Sequence, residues 1–257
     1  MSRLVWHAFC RWTGLDSGGH GMRDVKQKYL LRLADEPRWV ETRDLLASDQ
    51  SLVLENPTQD GFIVWSSEDD IGSVVGRVDP TQLLRAAEDV SELLVFADNV
   101  AQASQVLKDF RAEIATIFTS PIELPLTIQH DCRLMEQADA ALLEHLPEGL
   151  KEEICDVLGD QVPVVAAFDG SLPVAFAYVA SETEALWDIS IDTLASHRRR
   201  GFAASAVTSL MGIMEKRGKT AVWGALQSNP ASVKLAQHLG FREVDELWVL
   251  SREDTGS

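Results

Sequence analysis

Two apolar periods share this chain: the 3.6-residue spacing of amphipathic helices and short runs of the kind that bury in a sheet. Spaced apolar residues among charges from Val25 to Ala47 predict one or two helices around Pro37. Phe62–Trp65 and Gly72–Gly76 read as strands on either side of an Asp69-Asp70 turn. Pro80 suits a first helical position with Asp79 as its N-cap, and Leu83, Leu84 and Ala87 are expected to share the buried face. Leu93–Phe96 reads as a strand, Val100, Ala103, Val106 and Leu107 as a helix, and Ile114–Phe118 as another strand. Pro121 and Pro125 then punctuate a junction.

The second half is more regular. Leu126–Leu134 predicts a strand, and Ala138–Leu158 a helical stretch broken at Pro147. Val162–Phe168 and Leu172–Val179 flank Asp169-Gly170-Ser171, a hairpin turn that favours positive φ. After a second turn at Ser181–Glu184 comes a strand at Leu186–Thr193. A long helix follows at Phe202–Arg217, with Val207, Leu210 and Met214 on one face and Gly218 closing it. A strand at Ala221–Leu226, a helix at Ala231–Leu239 and a strand at Glu246–Leu250 complete the order. Hairpins leading into a strand–helix–strand crossover make this a mixed α/β protein.

The order strand–helix–strand–helix–strand from Gly72 to Phe118 echoes residues 186–250. It is therefore read as a partial, degenerate repeat of the second half, or as an unrelated α/β cap. The expected divisions are a flexible tail at 1–22, an accessory α/β domain at 23–120 and a second domain at 121–257. Ser17-Gly18-Gly19-His20-Gly21 reads as a flexible break before Met22, which leaves Met1 and Met22 as alternative starts.

Charge narrows the partners. The 257 residues carry 40 Asp plus Glu against 23 Lys plus Arg, a formal net charge of -17. That balance disfavours nucleic acid and anionic membranes and suits a cationic substrate such as an amine. No apolar run approaches a membrane span, and no signal-peptide core opens the chain. Three widely spaced cysteines form no metal or disulfide pattern, so a cytoplasmic protein without a metal is expected. Neither monomer nor homodimer is specified.

Against this background, His197-Arg198-Arg199-Arg200-Gly201-Phe202-Ala203-Ala204 gathers positive charge where a strand gives way to a helix. The first N–H groups of a helix lack intrahelical partners, and the helix dipole adds partial positive charge there. With a glycine to allow close approach, the junction reads as an anion site.

Arg198-x-x-Gly201-x-Ala203, followed by Asn229-x-x-Ser232-x-x-Leu235-x-x-x-Leu239-Gly240-Phe241, resembles the two signature segments of the GNAT N-acetyltransferases. The resemblance covers roughly residues 122–252. It implies the GNAT fold and acetyl-CoA as acyl donor, with the backbone and side chains of Arg198, Arg199, Arg200, Gly201, Phe202, Ala203 and Ala204 around the diphosphate. It further implies that the pantetheine arm pairs with the strand edge at Ile191, Asp192 and Thr193, next to a gap between splayed strands. Asn229 and Ser232 would lie near the cofactor. Ile189–Thr193 and Trp223-Gly224-Ala225 more loosely resemble a bacterial subgroup that includes antibiotic self-resistance acetyltransferases.

The reaction this implies is acetyl transfer to a primary amine, chosen here as that of a small molecule. The alternatives are a protein lysine or N-terminal amine, or a catalytically silent acyl-CoA-binding module. An attacking amine must lose a proton to a base. Asp188 is the first candidate, because family enzymes often carry a carboxylate at about that place. Asp192 is second and Glu184 third, and each also fits a hydrated strand carboxylate. Alternation puts Asp188, Ser190 and Asp192 on one face of their strand. The tyrosine that many GNAT enzymes carry seven residues after the motif asparagine is Ala236 here. Protonation of the departing thiolate then falls to solvent, and His238 reads as a surface residue.

Overall fold

The computed structural model describes residues 19–56, 61–121 and 128–253. Residues 1–18, the Pro125 end of the junction and the start of the Leu126–Leu134 strand lie outside these. The described residues form two compact units. An N-terminal unit takes 19–117, 224–233 and 243–253, and a C-terminal unit takes 118–223 and 234–242.

The N-terminal unit begins with helices α1 (Gly19–Leu30) and α2 (Val40–Ala47), joined through a single 3-10 turn at Pro37–Trp39. Helix α1 thus starts within the glycine-rich stretch read above as a break. Strands β1 (Leu52–Asn56), β2 (Gly61–Ser66) and β3 (Ile71–Val75) form an antiparallel meander, of which β1 was not foreseen. Helix α3 (Pro80–Asp89), β4 (Glu92–Val95), α4 (Val100–Val106) and β5 (Phe110–Thr119) complete the first pass. The last strand of the chain, β11 (Arg242–Arg252), inserts between β4 and β5, pairing antiparallel with β4 from Trp248↔Val95 to Ser251↔Glu92.

Strand β2 shows why a continuous apolar run makes a central strand. Phe62 and Val64 pack with Tyr29, Leu45 and Leu46 of α1 and α2. Ile63 and Trp65 pack on the opposite face with Leu83, Ala86, Ala87 and Ala103 of α3 and α4. Each face buries its own set, so the polar alternation of a half-exposed strand is missing. On α3, Leu83, Ala86 and Ala87 are buried whereas Leu84 is 50% exposed, which corrects the face expected for that helix.

The C-terminal unit runs β6 (Asp131–Leu134), a 3-10 segment at Gln137–Leu143, α5 (Glu148–Gly159), β7 (Val164–Asp169), β8 (Leu172–Glu182) and β9 (Leu186–Thr193). It continues into α6 (Phe202–Glu215), β10 (Thr220–Leu226) and α7 (Pro230–His238); the last two cross from one unit to the other. Strands β6, β7, β8 and β9 are successively antiparallel, and β9 then pairs parallel with β10. One face of this sheet, through Val164, Ala166, Phe176 and Tyr178, packs under Leu143, Ile154, Val157 and Leu158. Helix α6 crosses β6, β7, β8 and β9, burying Val207, Leu210 and Met214 as its spacing foretold.

The two halves of the chain share a plan. In each, a run of antiparallel strands, three in the first half and four in the second, leads through a helix to a strand that pairs parallel with the last of the run: β3 with β4, and β9 with β10. A further helix and strand follow in both.

Candidate functional site

Helix α6 opens on a backbone without a side-chain cap. Its N-cap is Gly201, at φ 87° and ψ -2°, and Arg199 is also left-handed at φ 59°. The first backbone bond of the helix runs from the Ser205 N–H to the Gly201 carbonyl. The N–H groups of Phe202, Ala203 and Ala204 therefore precede the helical ladder and project from its positive end. A left-handed, right-handed or extended, left-handed alternation with successive N–H groups is the build of an anion nest.

The arginines around this loop do different things. Arg198 Nε donates to the Thr193 carbonyl at 3.3 Å, tying the loop to the end of β9. Arg200 Nη2 lies 2.9 Å from Asp169 Oδ2 at the β7–β8 hairpin, and its guanidinium sits over the Phe202 ring. His197 Nε2 is 3.3 Å from the same Asp169 oxygen. The Arg199 side chain is exposed. Asp169 was not foreseen as a member of this cluster.

Two further residues come from just before β6. Residues 128–130 were expected to be strand, but the ladder with β7 starts at Asp131. The reason is that Gln129 and His130 bond elsewhere. The Gln129 N–H donates to Ser205 Oγ at 3.1 Å, and His130 Nε2 is 2.8 Å from the Arg200 carbonyl. The imidazole of His130 also stacks on Phe202, with ring centroids 3.8 Å apart. A Cβ on Gly201 would meet Gln129 Oε1 at 3.2 Å and His130 Nε2 at 3.4 Å. Gly201 is thus demanded by conformation, and a Cβ there would also make the Gln129 side chain give by a few tenths of an ångström.

Strand β9 carries the expected base. The register of β9 with β10 runs Leu186↔Thr220, Trp187↔Ala221 and Asp188↔Val222, and among the described residues it stops there, although β9 continues to Thr193. Residues Ile191, Asp192 and Thr193 still pair on the other side with Ala177, Phe176 and Ala175 of β8. Their outer edge therefore lies beyond the ladder with β10. Asp188 itself faces a β-bulge: Ala180 and Ser181 of β8 stand opposite it, between the pairs Val179↔Ile189 and Glu182↔Trp187. Bulges re-aim side chains and interrupt pairing next to functional sites. Asp188 is 1% exposed.

Cross-strand pairing fixes what surrounds that carboxylate. Tyr178 is opposite Ser190 and Phe176 is opposite Asp192, so Ser190 and Asp192, and by alternation Asp188, share the sheet face that packs under α5. The buried Tyr178 hydroxyl donates to Glu153 Oε1 of α5. Burial, then the charges of Glu153 and Asp192, push the Tyr178 phenol far above its usual range, so it remains an O–H donor at any ordinary pH. Nothing in the local sequence around Glu153 signals this pairing; only the packing of α5 on β8 creates it. Glu184 lies exposed in the β8–β9 turn, before β9 begins.

The second signature segment has local structural reasons. In the N-terminal unit, Asn229 caps α7: its Oδ1 accepts from the Ser232 N–H at 3.2 Å, and its carbonyl accepts from Val233. In the C-terminal unit the helix ends when Phe241 N–H bonds the Ala236 carbonyl at 3.0 Å, across the left-handed Gly240. That turn packs Phe241 edge-on against Trp223, centroids 5.4 Å apart. Ala236 is fully buried and His238 is exposed. Tyr29 lies in the N-terminal unit, stacked on Phe62.

Among the described residues, no group of three or more His, Cys, Asp or Glu side chains is placed to hold a metal ion, and no helix is long and apolar enough to cross a membrane.

Residues 165–250 match the family model of the GNAT acetyltransferases. Solved structures resemble nearly the whole chain. A GCN5-related N-acetyltransferase-like protein from Streptococcus suis aligns with a TM-score of 0.66 at 16% identity, covering 90% of this chain and 100% of that one. A GCN5-related N-acetyltransferase from Kribbella flavida gives 0.57 at 16%, covering 86% and 95%. A tandem GNAT protein from the clavulanic acid biosynthesis pathway gives 0.57 at 10%, covering 91% and 96%. At such identities the likeness is one of fold. No curated protein matches the sequence.

Proposed function

From the match of residues 165–250 to the GNAT acetyltransferase family model, we propose that this chain transfers the acetyl group of acetyl-CoA to a primary amine of a small molecule. The observation that carries the reading is a pair of devices on one βαβ crossover. One is the glycine-capped, arginine-flanked N-terminus of α6, and the other is the β9 edge beyond Asp188, where pairing with β10 has ended.

These residues fit the donor. The Phe202, Ala203 and Ala204 N–H groups would hold its diphosphate, with Arg199 and the neighbouring guanidiniums adding charge-assisted bonds. The edge of β9 at Ile191, Asp192 and Thr193 would take the pantetheine amides as an added strand. When bound, the thioester supplies an electrophilic acetyl carbon beside the bulge. A backbone N–H of β9 would stabilise the oxygen of that carbonyl as negative charge develops on it.

The acceptor approaches as an ammonium and must react as an amine. Asp188 takes the ammonium proton, directly or through a water, the amine nitrogen bonds to the acetyl carbon, the carbon–sulfur bond breaks, and the second proton that the nitrogen sheds in becoming an amide passes to solvent. The thiolate then takes a proton from solvent, because Ala236 offers none at the position where the family often has a tyrosine. The net charge of -17 favours arrival of a cationic acceptor. A cytoplasmic setting agrees with this chemistry. Asn229 and Ser232, at the start of α7, complete the proposed set of donor-contacting residues. Along the sequence, 1–22, 23–120 and 121–257 are proposed as tail, accessory part and acetyltransferase part, with α1 already beginning at Gly19 and with 224–233 and 243–253 grouped in the N-terminal unit.

Ala236 favours a second reading, in which the fold binds an acyl-CoA without turnover. Calorimetry with acetyl-CoA and thiol release across a panel of amines and peptides separate the two. Turnover with a small amine supports the first reading; turnover with peptides alone would make this a protein acetyltransferase. Binding without release for any acceptor would leave the silent module. Asp188→Asn should lower kcat at least tenfold while acetyl-CoA affinity stays within about twofold.

A further inference from the structure

We propose that His130, with Gln129, is a strap that sets the anion-binding loop in its working conformation, making His130 a positioning residue for the donor diphosphate. The inference rests on the reading of the α6 N-terminus as the diphosphate site, and it concerns residues outside both signature segments. Three observations converge. His130 Nε2 is 2.8 Å from the Arg200 carbonyl, its ring stacks on Phe202 at 3.8 Å, and the preceding Gln129 N–H bonds Ser205 Oγ at 3.1 Å. The strap therefore grips the loop at the residue before Gly201 and at two residues of the first helical turn.

The chemistry follows from the peptide group. A carbonyl only accepts, so His130 must carry its hydrogen on Nε2 and donate it to Arg200. The described backbone has no cis peptides, so the C=O of Arg200 and the N–H of Gly201 point in opposite directions across one planar unit. Holding the Arg200 oxygen on the His130 side turns the Gly201 N–H to the other side. It also removes from the nest the one carbonyl that a simple peptide flip would present to an anion. Such a flip changes ψ of Arg200 and φ of Gly201, now 87°, and a glycine takes either sign of φ, so residue 201 sets no steric barrier to it. Without the strap, the loop gains an alternative in which an oxygen replaces a donor.

The test uses the full chain, acetyl-CoA calorimetry and three variants. His130→Phe keeps the stack on Phe202 and loses the hydrogen bond. His130→Gln places an amide N–H where Nε2 stood and loses most of the stack, while His130→Ala loses both. One net hydrogen bond is worth about a factor of ten, so His130→Phe and His130→Ala should each bind acetyl-CoA about tenfold more weakly. His130→Gln should recover most of that loss, with the melting temperature of the ligand-free protein little changed in His130→Phe. Affinity within twofold of wild type in His130→Phe would overturn the proposal. So would a loss that His130→Gln shares in full, or one that tracks a fall in ligand-free melting temperature, since either would mark a packing role. Failure of the wild-type protein to bind acetyl-CoA would instead remove the underlying reading, and the strap with it.

Discussion

Gly201→Ala isolates the two demands that shape the anion loop. At φ 87° an alanine is strained whatever the space, and a residue forced into the left-handed region costs about 1–2 kcal/mol. The added Cβ also lands 3.2 Å from Gln129 Oε1, tighter than ordinary contact, although a side-chain end can retreat by a few tenths of an ångström. Gly170, at φ 64° in the β7–β8 hairpin, provides the control because nothing lies within 4 Å of its Cβ position. Gly170→Ala pays for conformation alone. For a chain of this size about 1 kcal/mol moves the melting temperature by roughly 2–4 °C, so Gly170→Ala should lower it by about 2–8 °C. Gly201→Ala should lower it further. The double variant Gln129→Ala/Gly201→Ala should recover the difference, because it removes the atom the Cβ meets. Thermal denaturation of these variants, the wild type and the Gln129→Ala single variant, which completes the cycle, measures every term. If Gly201→Ala costs no more than Gly170→Ala, or if removing Gln129 gives no relief, the close approach of the strap to the loop is not what constrains position 201.

Further outcomes follow from groups away from the loop. Burial is the main cause pushing the Glu92 carboxyl above its usual value, with Asp70 adding to it and the Ser251 hydroxyl opposing it. A carboxyl raised in the folded state favours folding below its unfolded value and loses that contribution as pH rises through its folded value. Glu92→Gln, which can still accept from Ser251, should therefore raise the melting temperature at pH 7, with the gain shrinking as pH falls towards 4. Asp79 shows the opposite sign. Bonds from the Thr81 hydroxyl and N–H hold its carboxyl low, so its contribution is present above the unfolded value and fades as pH falls through the folded one. Asp79→Ala should cost a few degrees at pH 7, converge with wild type in acid, and leave acetyl-CoA affinity unchanged. Burial, aided by Asp131, pushes the Cys132 thiol up to about 11. Its alkylation at pH 8 should run about a hundredfold slower than that of an ordinary thiol, as measured by mass spectrometry, and labelling at the ordinary rate would contradict its burial.

What could be read in the sequence was what local chemistry writes there. The 186–193 strand, the α6 face through Val207, Leu210 and Met214, and the cap at Asp79 each depend on residues within a few positions of one another. The signature segment from Asn229 to Phe241 was legible for the same reason, since a cap, a buried Ala236 and a glycine exit are sequential events. What stayed hidden depends on pairing between distant parts of the chain. Strand β11 reads as five residues but runs from Arg242 to Arg252, because β4 and β5 flank it and extend its ladder. Tyr178 and Glu153 are 25 positions apart, and Gln129 lies 76 positions from Ser205. No periodicity announces such contacts.

The shared plan of the two halves explains why only one of them is proposed to bind the donor. Helix α3 stands in its half where α6 stands in the other, yet its N-terminus is closed. The Asp79 carboxylate accepts from the first turn, and Gln82 reaches back to the Asp79 N–H in a reciprocal capping box. A negative side chain already sits where an anion would have to go, so both charge and hydrogen-bonding capacity are spent. The strands differ in the same sense. The β3–β4 ladder runs from Ile71↔Glu92 to Val74↔Val95 and pairs all of β4, whereas the β9–β10 ladder ends at its third pair with β9 continuing beyond it. A binding edge needs unpaired backbone, and an anion site needs an uncapped helix. The first half has neither: its helix is capped and all of β4 is laddered to β3. The second half instead carries a left-handed glycine at an uncapped helix start, a β9 that runs on beyond its ladder with β10, and the buried Asp188.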